Sequence, residues 1–367
     1  MRPDVIVVGA GIVGAACADS LARRGLRVLV LERDIPSGGT TGAGMGHVVV
    51  MENPEVEFQI TSYSLRLWRE LAAELPPDCE DDGCGTLWLA EDDEEWQHAR
   101  SQAEAFHARG LEAALLTPKQ LVDFEPALRS GLAGGLYLPA DRVVYPPAVT
   151  RFLLDRVIAR GGELRLGAEV REARGREVQG AFGRIEADVV VNAAGAWAPT
   201  ITKGLPIEPR KGHLVITDRY PGLLRHQLVE LGYLKSAHGN EAASVAMNVQ
   251  PRRTGQILIG SSREFVGWNA EIDRGVRSRM IQRAVSFVPA LRGLNVLRSW
   301  VGFRPATPDK LPLLGFWEEG LAIDAGHEGL GITLAPASGE IVADLVTGAR
   351  PAIDPSPFDA RRSLVHA

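Results

Sequence analysis

With 367 residues, the chain is longer than the roughly 250–300 residues that one hydrophobic core usually serves, so two structural units are expected. Apolar residues at 45% and charged residues at 23% fit a soluble globular protein and exclude a disordered or fibrous one. The formal net charge of −6, with no basic run longer than pairs such as Arg252-Arg253, leaves no electrostatic footprint for nucleic acid.

The chain opens on a βαβ pattern. Residues 5–8 (VIVV) read as a short buried strand, residues 9–14 as a glycine turn, residues 15–24 as a helix and residues 27–32 (RVLVLE) as a second strand. The opening MRPDVIVVGAGIVGAACA also has the basic start, apolar stretch and small-residue end of a secretory signal. Asp4 sits badly in such a signal, and the glycines have a better use. No apolar run reaches the about 20 residues that span a bilayer. Cys17, Cys79 and Cys84 are odd in number and form no C-x-x-C, so no disulfide framework and no zinc or iron–sulfur site is indicated. Buried or incidental thiols in a reducing, cytoplasmic compartment are expected.

A loop rich in Gly, Ser and Thr follows at residues 36–47, then a helical pattern at 54–75 and a strand at 85–89. The acidic stretch 91–110 reads as an amphipathic helix with a solvated face. Residues 146–170 give helix, Gly161-Gly162 turn and strand, and residues 188–195 a buried strand running into glycine. Between 212 and 300, HLVIT, ASVAMNV and QILIG alternate with Pro, Gly and Arg and suggest an antiparallel sheet. Residues 321–324 form a last short strand. It feeds GHEGLGITLAPASG, residues 326–339, and a helix that ends at Thr347. The chain past Pro351 reads as a surface extension.

The expected fold class is therefore α/β with an α+β second domain. A Rossmann-like cofactor-binding domain is assembled from the discontinuous segments 1–85, 141–208 and 298–360. A mainly antiparallel-sheet substrate domain, from 86–140 and 209–297, is inserted in it, and 361–367 form a tail.

Gly9-Ala10-Gly11-Ile12-Val13-Gly14 is a G-x-G-x-x-G between strand and helix, and Glu32 closes the second strand. Gly9 permits the tight turn, Gly11 lets a pyrophosphate reach the backbone, and Gly14 allows close helix–strand packing. The helix N-terminus favours the phosphate charge, and Glu32 can accept from an adenosine ribose, which argues against NADP. The motif alone leaves NAD and FAD open. A flavin lies extended and needs grips remote from the adenosine pocket, and three later features offer them. Thr40 and Thr41 with Gly42, Gly44 and Gly46 suit the pyrophosphate and the ring border. Asn192-Ala193-Ala194-Gly195 ends a strand in small residues. Gly326, Gly329 and Gly331 precede a helix expected from about Thr333, whose N–H groups suit the edge of a flavin ring where charge collects on reduction.

Five stretches, VIVVGAGIVGAACADSLARRGLRVLVLERD, GGTTGAGMGH, VVVNAAGAW, WVGFRPATPDKLPLLG and GHEGLGITLAP, resemble the flavoprotein family of D-amino acid oxidase, glycine oxidase and sarcosine oxidase over essentially the whole chain. Within it, GMGHVVV and GQILIGSSRE resemble most the hydroxyproline and proline dehydrogenase β subunits and opine oxidase subunits, with glycine-oxidase-like enzymes close behind. The resemblance implies FAD and oxidation of the C–N bond of a small amino or imino acid by hydride transfer to flavin N5. The electrons then pass to oxygen or to a separate acceptor subunit, in a hetero- or homo-oligomer. A relay subunit that carries FAD without catalysis is the rival outside enzymes.

The resemblance also carries over site residues. Arg304 matches the arginine that pairs with substrate carboxylate, through a guanidinium fork that fixes orientation; a structural salt bridge is the plainer alternative. His47 lies where the chain passes the ring, as a pocket wall or a base for the amine. Ile12, Val13, Arg33, Met45, Val170, Gly302, His327, Ile332 and Thr333 are implied cofactor contacts beside the glycines, the Ala194-Gly195 turn and Glu32. Gly302 stands where some sarcosine oxidases attach flavin through cysteine, so non-covalent FAD is expected. His213 carries a weaker case. Tyr233, Phe265 and Trp268 are candidate pocket walls.

Overall fold

A computed structural model describes residues 2–51, 54–232 and 243–362. Strands Val5–Val8 and Val28–Leu31 pair in parallel and are buried along their whole length. A β-branched run without alternation is what a strand covered on both faces requires. Val189–Asn192 and then Leu321–Ala325 continue the sheet on one side, and Glu163–Arg165 extends it on the other, all in parallel. Leu313–Glu318 closes the edge antiparallel to Leu321–Ala325. Distant stretches of chain thus bring their strand ends to one side, the side where open α/β sheets bind ligands.

Helix Ile12–Arg23 starts directly after Gly11, three residues before the sequence suggests, and carries alanine on its buried face. It packs against the last helix, Gly331–Thr347, and against Pro146–Ala159. Gly339 makes the first contact a backbone approach: a Cβ there would lie 2.8 Å from Cys17 N. The last helix begins two residues before Thr333 and ends at Gly348, whose φ of 71° is the left-handed conformation that suits a glycine cap.

The larger sheet has eight strands, in the order Val296–Ala306, Glu208–Thr217, Ile257–Glu264, Ala243–Pro251, Gln227–Glu230, Thr86–Ala90, Gly134–Leu138 and Ala114–Leu116. It is antiparallel except where Gln227–Glu230 runs parallel to Thr86–Ala90. Val296–Ala306, most of which the sequence groups with the cofactor-binding segments, pairs along its length with Glu208–Thr217, Arg304 opposite Arg210. Helix Arg274–Phe287 covers one face, setting Met280, Ala284 and Phe287 against Val215, Met247, Val249 and Ile259. The opposite face looks toward the strand ends of the first sheet.

Two local expectations are corrected. Residues 170–186 form a separate three-stranded antiparallel sheet that the sequence did not suggest. The segment past Pro351 is not a loose extension: Phe358 and Ala360 are buried, and Arg362 pairs with Asp309. The helix Asp93–Ala108 does turn an apolar face, Ala99, Ala103 and Phe106, inward, with Asp92 capping its start.

Candidate active site

A cavity of about 830 Å³ lies between the carboxyl ends of the parallel strands and the inner face of the eight-stranded sheet. Its first end is the glycine turn. Gly9 has φ 105° and lies so close to the crossing strand end that a Cβ would sit 2.8 Å from Ala193 O. At Gly11 an added Cβ would meet only Thr41 Oγ1, at 3.1 Å, because the residue faces the cavity. Glu32 is fixed by its own backbone: Oε2 accepts from Ala10 N–H at 2.8 Å and Oε1 from Asp34 N–H at 3.0 Å. The Arg33 guanidinium lies over the Trp197 ring, 4.3 Å from its centroid.

The middle of the cavity is bordered by the 38–47 loop and the start of the last helix. Thr41 Oγ1 accepts from Ile12 N–H at 3.1 Å, tying this loop to the first helix. Thr40 donates its hydroxyl hydrogen to Phe303 O at 2.6 Å, so only its oxygen lone pairs remain for a ligand. Gly302 opposes Ala43, where a Cβ would meet Ala43 Cβ at 2.7 Å. No cysteine lines the cavity.

Two buried groups mark the floor. Asp324 is the next-to-last residue of the strand Leu321–Ala325, and burial lifts its carboxyl from 3.8 to about 8. His327 Nε2 lies 3.5 Å from Asp324 Oδ1, and burial lowers its imidazole to about 3. Both are therefore neutral near pH 7.

The far end, under the eight-stranded sheet, is lined by Arg210, Arg263, Arg304 and Glu328 beside the apolar Met45, Trp88, Leu214 and Val229. Arg304 leans across the neighbouring strand at Gly212, where an added Cβ would be 2.4 Å from its Nη1, and donates Nη1–H to Ser262 O at 3.0 Å. Arg210 Nη1 pairs with Glu328 Oε1 at 3.1 Å. Burial alone would raise the Glu328 carboxyl, but Arg263, Arg304 and Arg210 together hold it below its usual value. His47 borders this end, and burial and then the Arg304 charge push its imidazole down to about 4.

Most of the residues singled out in the sequence meet around this one cavity. Gly9, Gly11, Ile12, Val13, Glu32, Arg33, Thr40, Thr41, Gly44, Met45, His47, Val170, Ala194, Gly195, Gly302, Arg304, His327, Gly329, Gly331 and Ile332 all line it. Four do not. Gly14 and Gly46 are packing glycines, where a Cβ would lie 2.1 Å from Gly9 O and 2.0 Å from Val144 O. Gly326 turns at φ 86° against Thr307. Thr333 is buried behind the wall, its Oγ1–H donated to His47 O and its carbonyl bonded to Ser64 and Trp68. His213 is structural: Nδ1 is 3.0 Å from Ser262 Oγ and Nε2 accepts from Asp273 N–H at 3.0 Å. Phe265 and Trp268 are exposed rather than lining, although Trp268 stacks on Trp197, which does line the cavity. Tyr233 lies outside the described residues. Arg210, Arg263 and Gly212 were missed, because only the register of distant strands brings them together, and Glu328 was missed because its loop was read for its glycines and His327.

Among the described residues there is no cluster of His, Cys, Asp and Glu fit to hold a metal ion, and no helix long and apolar enough to cross a membrane. A glycine cradle closed by an acid, opening into a long cavity roofed by a second sheet, defines an enzyme built around an extended dinucleotide. The chain belongs to the DAO family of FAD dependent oxidoreductases, which it matches over residues 4–345. It is 30% identical to a glycine oxidase of Pseudomonas putida, over 98% of both chains. Among solved structures, glycine oxidase from Geobacillus kaustophilus superposes with a TM-score of 0.89 at 29% identity, covering 99% of this chain and 100% of that one. L-proline dehydrogenase from P. horikoshii superposes at 0.87 with 27% identity, covering 98% and 97%. FAD is thus the cofactor, and the open face of Gly11, the placed Glu32 and the length of the cavity fit it.

Proposed function

We propose that the protein oxidises the C–N bond of a small amino or imino acid, secondary amines such as proline, hydroxyproline, sarcosine or an opine being favoured. The relatives named glycine oxidase and L-proline dehydrogenase support this substrate class. The observation that carries the reading is Arg304, a guanidinium held across Gly212 inside the cavity with its remaining donors available to a carboxylate.

Bound FAD supplies the two-electron acceptor. The chain's own residues bind and aim the substrate. Arg304 takes the carboxylate, which fixes the amine-bearing carbon relative to the cofactor, and such orientation is worth several orders of magnitude in rate. Met45, Trp88, Leu214 and Val229 shape the pocket and exclude water from it. His47 remains neutral at any pH well above about 4, so it serves as a neutral wall rather than a store for the amine proton. Gly302 in place of an attaching cysteine supports non-covalent FAD.

Anaerobic mixing with glycine, sarcosine, D-alanine, L-proline, both hydroxyproline epimers and an opine tests the reading. At least one should bleach the flavin absorbance. If none does, the proposal fails. Admitting air afterwards shows whether oxygen or a separate acceptor subunit takes the electrons.

A further inference from the structure

Glu328 lies in the GHEGLG loop but was given no role there, and its geometry is demanding. Its φ is 47°, the left-handed region that side chains rarely occupy, in a loop that uses glycine freely at 326, 329 and 331. A glycine would take this turn without strain, so the conformation persists for what the side chain does. The carboxylate pairs with Arg210 at 3.1 Å, and its side chain is 15% exposed. Its backbone N–H donates to Pro305 O at 3.0 Å, one residue from Arg304. Burial is the largest single influence on its carboxyl, and Arg263, Arg304 and Arg210, with the Gly329 backbone N–H, outweigh it only together.

We propose that Glu328 is a positioning residue, whose carboxylate gathers Arg210, Arg263 and Arg304 into one cluster and so sets where the Arg304 guanidinium stands relative to the cofactor-facing loop. Three like charges in a half-buried space repel one another, and one opposite charge among them converts the repulsion into a fixed arrangement. Glu328 sits between His327 and Gly329, both on the cavity wall, so the same residue joins the loop at the cofactor to the arginine that takes the substrate. Without the carboxylate, an anionic substrate is still attracted, but by guanidinium groups free to hold it in several orientations. The proposal rests on the reading of Arg304 as the carboxylate ligand.

The test uses the FAD-loaded enzyme and two variants. Glu328→Gln keeps the shape and removes the charge; Glu328→Gly also relieves the backbone. The affinity for propionate, a carboxylate with no amine to oxidise, is read from the shift in flavin absorbance, and anaerobic flavin reduction is followed with the fastest member of the amino acid panel. The limiting reduction rate should fall by about 10- to 100-fold in both variants. Propionate affinity should stay equal or tighten, and the Glu328→Gly protein should melt no lower than Glu328→Gln, because both lose the charge and only the glycine relieves the backbone. Parental reduction rates in both variants would overturn the proposal, as would losses that merely follow lost FAD or lost stability. Arg304→Ala separates the two readings. If it binds propionate as the parent does, the carboxylate role of Arg304 fails, and this inference with it, as it also does if no panel member reduces the flavin. If Arg304→Ala loses propionate while the Glu328 variants keep parental rates, only the positioning role fails.

Discussion

Replacing Gly212 with alanine should uncouple chemistry from folding. The added Cβ would fall 2.4 Å from Arg304 Nη1 and 2.9 Å from Ser262 O. Ordinary contact needs about 3.5 Å, so the guanidinium must retreat by roughly 1 Å. Arg304 is the softer neighbour because its crowded atom ends a flexible side chain, whereas Ser262 O belongs to a paired strand. Overpacking of this kind costs about 1–3 kcal/mol, which a protein of this size survives. The retreat also pulls Nη1 from Ser262 O, now 3.0 Å away. A misplacement of about 1 Å in an orienting group is worth on the order of 100-fold in rate. Stopped-flow flavin reduction under anaerobic conditions should therefore show a limiting rate divided by Kd lowered by about that factor, with FAD content per chain unchanged. A Gly212→Ala enzyme that keeps both the parental rate and the parental Kd would refute the claim that Arg304 works from its place across this glycine.

Gly11→Val should empty the cofactor site without unfolding the chain, since the new side chain enters the cavity and meets only Thr41 Oγ1 at first; flavin absorbance per protein should drop by about tenfold or more, which takes a loss of more than about 1.4 kcal/mol of binding, with circular dichroism unaltered. Asp324 governs pH. With its carboxyl raised from 3.8 to about 8, the folded protein keeps a proton that the unfolded chain releases, so stability falls as pH rises through that window, by at most about 1.4 kcal/mol per pH unit. Asp324→Asn removes this slope. Its urea midpoint should gain on the parent between pH 5 and pH 8, and parallel curves for the two proteins would contradict the assignment.

The near end of the site was readable because its requirements are local. Gly9, Gly11 and Glu32 answer to one turn, one helix start and one strand end, all within the first 32 residues. The loop at 326–331 was readable for the same reason. The far end was not. Arg210 faces Arg304 only through the antiparallel register of two strands almost a hundred residues apart, and nothing in the bare Lys211-Gly212-His213 tripeptide says that its glycine makes room for an arginine. The parallel pairing of Gln227–Glu230 with Thr86–Ala90 is hidden too, since a four-residue strand carries no mark of its direction. Gly14, Gly46 and Gly326 show the converse difficulty: a glycine kept for packing and one kept for a ligand look alike until the neighbouring backbone is placed.

The contact between Ile12–Arg23 and Gly331–Thr347, closed so tightly at Gly339, also bears on biosynthesis. Helix Ile12–Arg23 finds its main partner only after the stretch of chain between it and Gly331 has been made, and the strand Leu321–Ala325 arrives almost as late. Until then the face of Ile12–Arg23 that packs against Gly331–Thr347 stays bare. Loading of the cofactor, whose cavity takes residues from both of these distant segments, waits on their meeting.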